Sequence, residues 1–329
     1  MWQFLLRRLL LLIVVVIGVT ALTFLMMYCT PGDPATTIAM ARYGGPESLS
    51  SDLIAWIRHQ EGLDAPIHIQ YAKWLHHIFY LDMGRSLITD EPVFDKILLR
   101  FPATLHLALA SMLIYLLVAI PIGILSAIKQ NSLIDYLSNI GVLVGVSMPS
   151  FWLALILILF FSIYMRWLPV CGSQGLSYII LPATTLGIGI AATTTRIVRS
   201  SMLDVLGQNY IRTARAKGLK ETIVIGKHAL KNAIIPIITI SGLQFASLLE
   251  GAVVIETIFA WPGVGRLLVD SINQRDFPMI QGCILFIAII FVLVNLLVDL
   301  SYVYLDPRVC VVLKLFRVRP SFIVFKLFI

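Results

Sequence analysis

The sequence predicts an all-α membrane protein with six transmembrane helices. Of its 329 residues 59% are hydrophobic and 13% charged, and the mean hydropathy is +0.91. The apolar residues gather in runs of about 20, the length that carries a helix across a hydrocarbon core. These runs fall at 9–29, 103–128, 136–165, 179–198, 234–258 and 282–305 within one transmembrane domain, 1–329.

The run 9–29 follows Arg7 and Arg8. It is too long for a cleaved leader and no small-residue cleavage site follows, so it reads as a retained first helix. Segment 30–102 is then an insertion on the outer side. In it PESLSSDLIAWIRHQEGL has helical apolar spacing, a start at Ser48 or Ser50 and a stop at Gly62, and IHIQYAKWLHHIFYL ends near Asp82 to Gly84. His59, His68, His76 and His77 ride on these helices; adjacent His76 and His77 point about 100° apart, so solvated or structural roles suit them better than shared ligation of one ion.

Within 136–165 the sequence SMPSFW interrupts the span: Pro149 removes a backbone donor, and Ser147 and Ser150 can meet the freed carbonyls. Ser147, Met148, Pro149 and Ser150 are therefore candidate pathway-lining residues. The run 179–198, with TTLGIGIAATTT, is the least apolar of the six. Acidic residues near the membrane, Glu250, Glu256 and Asp299, must face protein or water. After 234–258 comes segment 259–281, which opens FAWPGVGRLLVDSINQRDFP, where an interfacial Trp and two glycines suit a re-entrant turn. Glu256, Trp261, Pro262, Gly263 and Gly265 form a candidate gate on the outer side.

Lys and Arg set the orientation. With both termini inside, the inner segments hold about sixteen of the 25 basic residues, so both ends are expected in the cytoplasm. The net charge of +7 follows from that retention and needs no nucleic acid partner. The tail 306–329 continues as VCVVLKLFRVRPSFIVFKLFI, basic and apolar together, an interfacial strip or an extension too short to span. Cys29, Cys171, Cys283 and Cys310 have no CxxC spacing and predict neither a disulfide framework nor a zinc site. No GxxxxGK[ST] occurs, so the chain cannot cradle ATP phosphates by that loop. His106 lies within a span without an evident carboxylate partner, which leaves no constellation for an enzyme.

Segment 199–233 is long for a helix connection. A helix from Leu203 to Lys217 would align Leu203, Leu206, Tyr210 and Ala214 on one face, with Gly218 as a left-handed stop and a second helix rising from Glu221 into the next span. The residues alone fit two roles equally: a basic helix resting on anionic lipid, or a lever inserted into a partner.

RTARAKG followed by HALKNAIIP resembles the cytoplasmic coupling loop of binding-protein-dependent ABC importer permeases, with Arg212 and Thr213 in place of the usual Glu-Ala and with Ala214 and Gly218 matching. TPGDPA, GLDAPIHIQY, FPATLHLALA, GVSMPSFWLA, RSSMLDVLGQNY, ETIFAWPGVGRLLVDSINQRDFPMIQ and NLLVDLSYVYLDPR extend the likeness along the chain, to the dipeptide, oligopeptide and nickel permeases. The resemblance implies an ABC importer type I permease fold and a multi-pass chain of the bacterial inner membrane. It implies as partners a second homologous permease, two cytoplasmic ATPase subunits that carry the ATP and Mg, and a periplasmic or lipid-anchored solute-binding protein. This chain itself would hold no cofactor and no metal. Coupling would fall to Tyr210, Arg212, Thr213, Ala214, Arg215, Lys217 and Gly218. FPATLHLALA, GVSMPSFWLALILILFFS, YMRWLP, FAWPGVGR and LDPR look closer to nickel permeases, so a nickel chelate is the expected cargo, with di- or oligopeptides as the alternative.

Overall fold

The computed structural model describes residues 2–29, 33–43, 50–60, 62–80 and 82–305, and they are helical almost throughout. The helices are α1 Trp2–Cys29, α2 Pro34–Tyr43, α3 Ser51–Gln60, α4 Ile67–Phe79, α5 Val93–Ile128, α6 Leu133–Ser147, α7 Ser150–Leu157, α8 Leu176–Leu206, α9 Asn209–Ala216, α10 Glu221–Ile223, α11 Leu230–Ile258, α12 Val264–Gln274 and α13 Phe277–Leu305. Helix α7 continues as a π-helical stretch, Ile158–Tyr164, and a second π-helical stretch, Val224–Ala229, joins α10 to α11 without a break.

Four stretches are long and apolar enough to cross a membrane: Val93–Ile128, Leu176–Leu206, Pro236–Ile258 and Phe277–Val298. The expected third span is broken at Met148 and Pro149, both extended, between the end of α6 at Ser147 and the start of α7 at Ser150; the two pieces count as one crossing or as a re-entrant loop. No side chain caps the start of α7, and at the end of α6 the Met148 N–H donates to Val144 O at 3.1 Å. In α1 the run that stands out is shorter, Leu12–Met26, and the sixth crossing rests on it. Ser48, the side chain of Asp299, Cys310 and the tail 306–329 lie outside what is described.

Helix α5 starts ten residues before the expected span because it runs through Pro102 instead of stopping there, as membrane helices tolerate when neighbours serve the freed carbonyl. In the Thr-rich run of α8, Thr185 Oγ1 donates to Leu181 O at 2.8 Å and Thr195 Oγ1 to Ala191 O at 2.7 Å, so these two buried hydroxyls are satisfied within the helix, whereas buried Thr194 Oγ1 has no hydrogen-bond partner among the described residues.

The chain divides into two compact units, and each of the four long helices contributes to both. The first comprises 1–111, 149–186 and 248–292. Its core packs Met83, Val93, Ile97, Val264, Met279, Cys283 and Leu285, with Phe101 and Phe286 edge to face at 5.2 Å. The insertion has a small core of its own, Ala35, Ile38, Ala39, Ile57 and Leu87. Ser50 Oγ accepts from Leu53 N at 3.2 Å and so caps α3, and Tyr71 OH meets Thr20 Oγ1 at 2.9 Å, tying α4 to α1. Asp276, buried ahead of α13, accepts from Ser86 Oγ at 2.5 Å and from Leu87 N at 3.1 Å, which fixes the turn before α5.

The second unit comprises 112–148, 187–247 and 293–329. Its core packs Ala127, Val198, Met202, Ile211, Ala214, Val224, Ala229, Ala233 and Ile237.

Candidate functional site

In the second unit the basic segment is a short helix docked on its neighbours. Helix α8 ends at Leu206, Gly207 and Gln208 turn the chain, and α9 starts afresh at Asn209. That break changes which face is buried. Ile211 and Ala214 are the residues of α9 in the core, whereas Tyr210, expected on the apolar face, is 42% exposed. Burying Ile211 contributes about 2 kcal/mol toward seating α9 in a core with Val198 and Met202 of α8, Val224 and Ala229 of the π-helical stretch and Ala233 and Ile237 of α11. Tyr210 is held from outside: its hydroxyl accepts from Asn232 Nδ2 at 2.8 Å.

Gly218 takes φ +75, and its N–H donates to Arg215 O at 2.9 Å while Leu219 N–H donates to Ala214 O. Any L side chain would be strained in that conformation. Across this corner Arg215 grips Glu221 with two bonds, Nη2 to Oε1 at 2.6 Å and Nε to Oε2 at 3.2 Å. The Arg215 guanidinium holds the Glu221 carboxyl below its ordinary value of 4.5, and the carboxylate raises Arg215 in return. Arg212, Thr213, Lys217 and Gly218 are left exposed, so α9 presents a cationic outer face from a fixed base.

Beside this base lies a pair that the sequence did not reveal. Asp135, at the start of α6 and 3% exposed, receives Arg199 of α8 in a fork, Nε to Oδ1 at 2.7 Å and Nη2 to Oδ2 at 2.8 Å. Ser126 Oγ and Asn131 N donate to the same carboxylate at 2.5 and 3.0 Å. The pair thus fastens the turn between α5 and α6 to the helix that leads into α9.

In the first unit the candidate gate residues converge on a buried carboxylate. Glu256, 0% exposed, accepts from Thr104 Oγ1 at 2.6 Å and from Arg266 N at 3.0 Å, with Gly265 N–H also on it. Thr104 Oγ1 accepts in turn from Val264 N at 2.9 Å, and Trp261 Nε1 donates to Ala103 O at 2.8 Å. A Cβ at Gly263 would fall on the Glu256 carboxyl, and one at Gly265 would stand 2.5 Å from Val253 Cα. The two glycines are therefore required by closeness, and Pro262 lies between Trp261 and that contact. Thr104 belongs to FPATLHLALA, but nothing in that stretch pointed to Glu256.

Ser147 and Ser150 are exposed and Met148 half-buried at the break. Glu250 is exposed on α11. His59, His68, His76 and His77 are exposed, and His77 Nδ1 lies 3.2 Å from Asp82 Oδ2. Among the described residues no group of three or more His, Cys, Asp or Glu is placed to hold a metal ion.

The long apolar helices suit a membrane protein, and the chain belongs to the family of binding-protein-dependent transport system inner membrane components. The model of that family matches residues 119–311, and the model of its N-terminal region matches 1–108. The chain is 43% identical to the glutathione transport system permease protein GsiC of Salmonella paratyphi A, over 94% of its own length and 99% of that relative. It is 42% identical, with the same coverage, to the dipeptide transport system permease protein DppB of Alkalihalophilus pseudofirmus. Among solved structures it is similar to the MetNI methionine ABC transporter in an inward-facing conformation, with TM-score 0.53, 18% identity, and 64% of this chain and 96% of that one covered. It is also similar to an amino acid ABC transporter solved with histidines, with TM-score 0.51, 15% identity, and 70% and 97% covered.

The protein is thus a non-catalytic ABC importer permease, a multi-pass protein of the bacterial inner membrane that works with ATPase and solute-binding subunits. The expectation of nickel finds no support: the relatives are named for glutathione and dipeptide.

Proposed function

We propose that the chain forms half of the membrane path of an ATP-driven importer of short peptides. A second, similar permease completes the path, two ATPases bind on the cytoplasmic side and carry ATP and Mg, and an outer solute-binding protein delivers the peptide. Both termini and α9 face the cytoplasm in this reading. The observation that carries the substrate class is likeness over nearly the whole chain to permeases named for glutathione and dipeptide.

The ATPases close on ATP, and α9 moves with the surface that holds Tyr210, Arg212 and Lys217. Because α10, the π-helical stretch and α11 are one continuous rod beyond the Gly218 corner, displacement at α9 becomes tilt of α11. The Asp135–Arg199 fork carries α6 along with α8. The break at Ser147 to Ser150 lies along the path, and the Glu256 knot marks its outer end.

Uptake of labelled dialanine and labelled nickel in a strain deleted for this chain tests the reading. Loss of dialanine uptake with nickel uptake retained is expected. Loss of nickel uptake with dialanine uptake intact would reverse the assignment.

A further inference from the structure

Part of the insertion is a cleft rather than a cover. A cavity of about 490 Å³ opens among α1, the α2–α4 region and the start of α13, within the size range of small-molecule sites. One face of α4 lines it, Gln70, Lys73, Trp74 and His77, at the spacing that puts four residues on one side of a helix. Asp82, just after α4, lines the same cavity beside His77.

The chemistry of the lining is two-signed. Lys73 makes no hydrogen bond or ion pair among the described residues, so its ammonium has three donors to offer. Asp82 Oδ2 takes His77 Nδ1 at 3.2 Å and Oδ1 takes Gly84 N at 3.0 Å, which leaves lone pairs on both oxygens. Trp74 lines the same cavity, stacked with Tyr71 at 6.2 Å and braced by Phe24 at 6.5 Å. A cation with no partner among the described residues, a carboxylate held by His77 and Gly84 and an aromatic wall together match a zwitterion with an apolar middle.

We infer that this cleft is a binding site for a short peptide, with Lys73 taking the C-terminal carboxylate and Asp82 the N-terminal ammonium. The inference rests on the peptide reading above. The site would hold peptide released at the outer surface before it enters the path.

The complete importer in lipid nanodiscs, without ATP and without its solute-binding protein, is titrated with labelled trialanine, trialanine amide and N-acetyl-trialanine. Trialanine should bind, and the amide about tenfold more weakly, as the loss of a charged hydrogen bond implies. Lys73→Gln should bind the acid as weakly as the amide, and Lys73→Arg should restore the difference. Asp82→Asn, which keeps an acceptor for Gly84, should erase the preference over the N-acetyl form. Wild-type affinity with an undiminished acid-to-amide ratio in Lys73→Gln, or no binding by the wild type, overturns the site. If binding is absent while vesicles with the solute-binding protein and ATP still import trialanine, the site alone is wrong; if they import no peptide, the functional reading fails as well.

Discussion

The Glu256 knot and the α9 corner are built on opposite plans. In the knot a fully buried carboxyl gathers donors from Thr104, Gly265 and Arg266, and two glycines let backbone approach where any side chain would collide. At the corner two side chains, Ile211 and Ala214, hold the helix down while its cations point away. One region spends its polar groups inward and leaves nothing to offer a partner; the other is anchored by little and offers much. A buried, satisfied network specifies one geometry, whereas a shallowly docked helix with a glycine corner is suited to be moved.

That contrast breaks first at the knot. Glu256→Ala leaves the Thr104 hydroxyl and the Arg266 N–H buried without an acceptor, a cost of about 3 kcal/mol or more. The detergent-solubilised complex should lose thermal stability markedly, and Glu256→Gln, which keeps one acceptor oxygen, should lose less. Next comes Asp135→Ala, which strands Arg199 and is expected to cost about 3 kcal/mol. Asp135→Asn should fall between, read by the same melting curve.

Gly218→Val puts a β-branched residue at φ +75 and costs about 1–2 kcal/mol. Its larger effect is functional: stimulation of ATP hydrolysis by loaded binding protein should drop out of proportion to a melting temperature lowered by only a few degrees, and Gly218→Asn should be milder. Full transport and normal stimulation in Gly218→Val would rule out the lever. The smallest effect belongs to the exposed Arg215–Glu221 pair. Because the Glu221 carboxyl titrates below its ordinary value, the pair contributes above that value and is lost as pH falls through the lowered one. Glu221→Gln should therefore match the wild type in acid and fall slightly below it near neutrality, in low salt only.

How much of this was legible varied with distance along the chain. Gly218 and the rise from Glu221 could be read locally, because a helix stop and a helix start are short-range signals. The buried face of α9 was misjudged because one helix was assumed from Leu203 to Lys217; the turn at Gly207 and Gln208 resets the register and exchanges Tyr210 for Ile211. A glycine followed by Gln208 and Asn209 was the available hint. The fork between Asp135 and Arg199 joins residues 64 apart, and no local pattern announces it.

The nickel expectation finds no support for a related reason. FPATLHLALA contains Thr104, GVSMPSFW the broken span and FAWPGVGR the glycines of the knot. Those stretches hold residues that build the architecture, and nothing in their contacts in this structure selects a cargo.

The lever is tested most directly by reversing the charge of its free face. Arg212→Glu with Lys217→Glu alters two exposed residues outside the core, so the complex should melt at the wild-type temperature. ATP-dependent dialanine uptake into vesicles that contain the whole importer is then measured. Uptake reduced to background, with the permease still folded, is the expected result; uptake at the wild-type rate would contradict the claim that α9 is where ATP hydrolysis meets the membrane path.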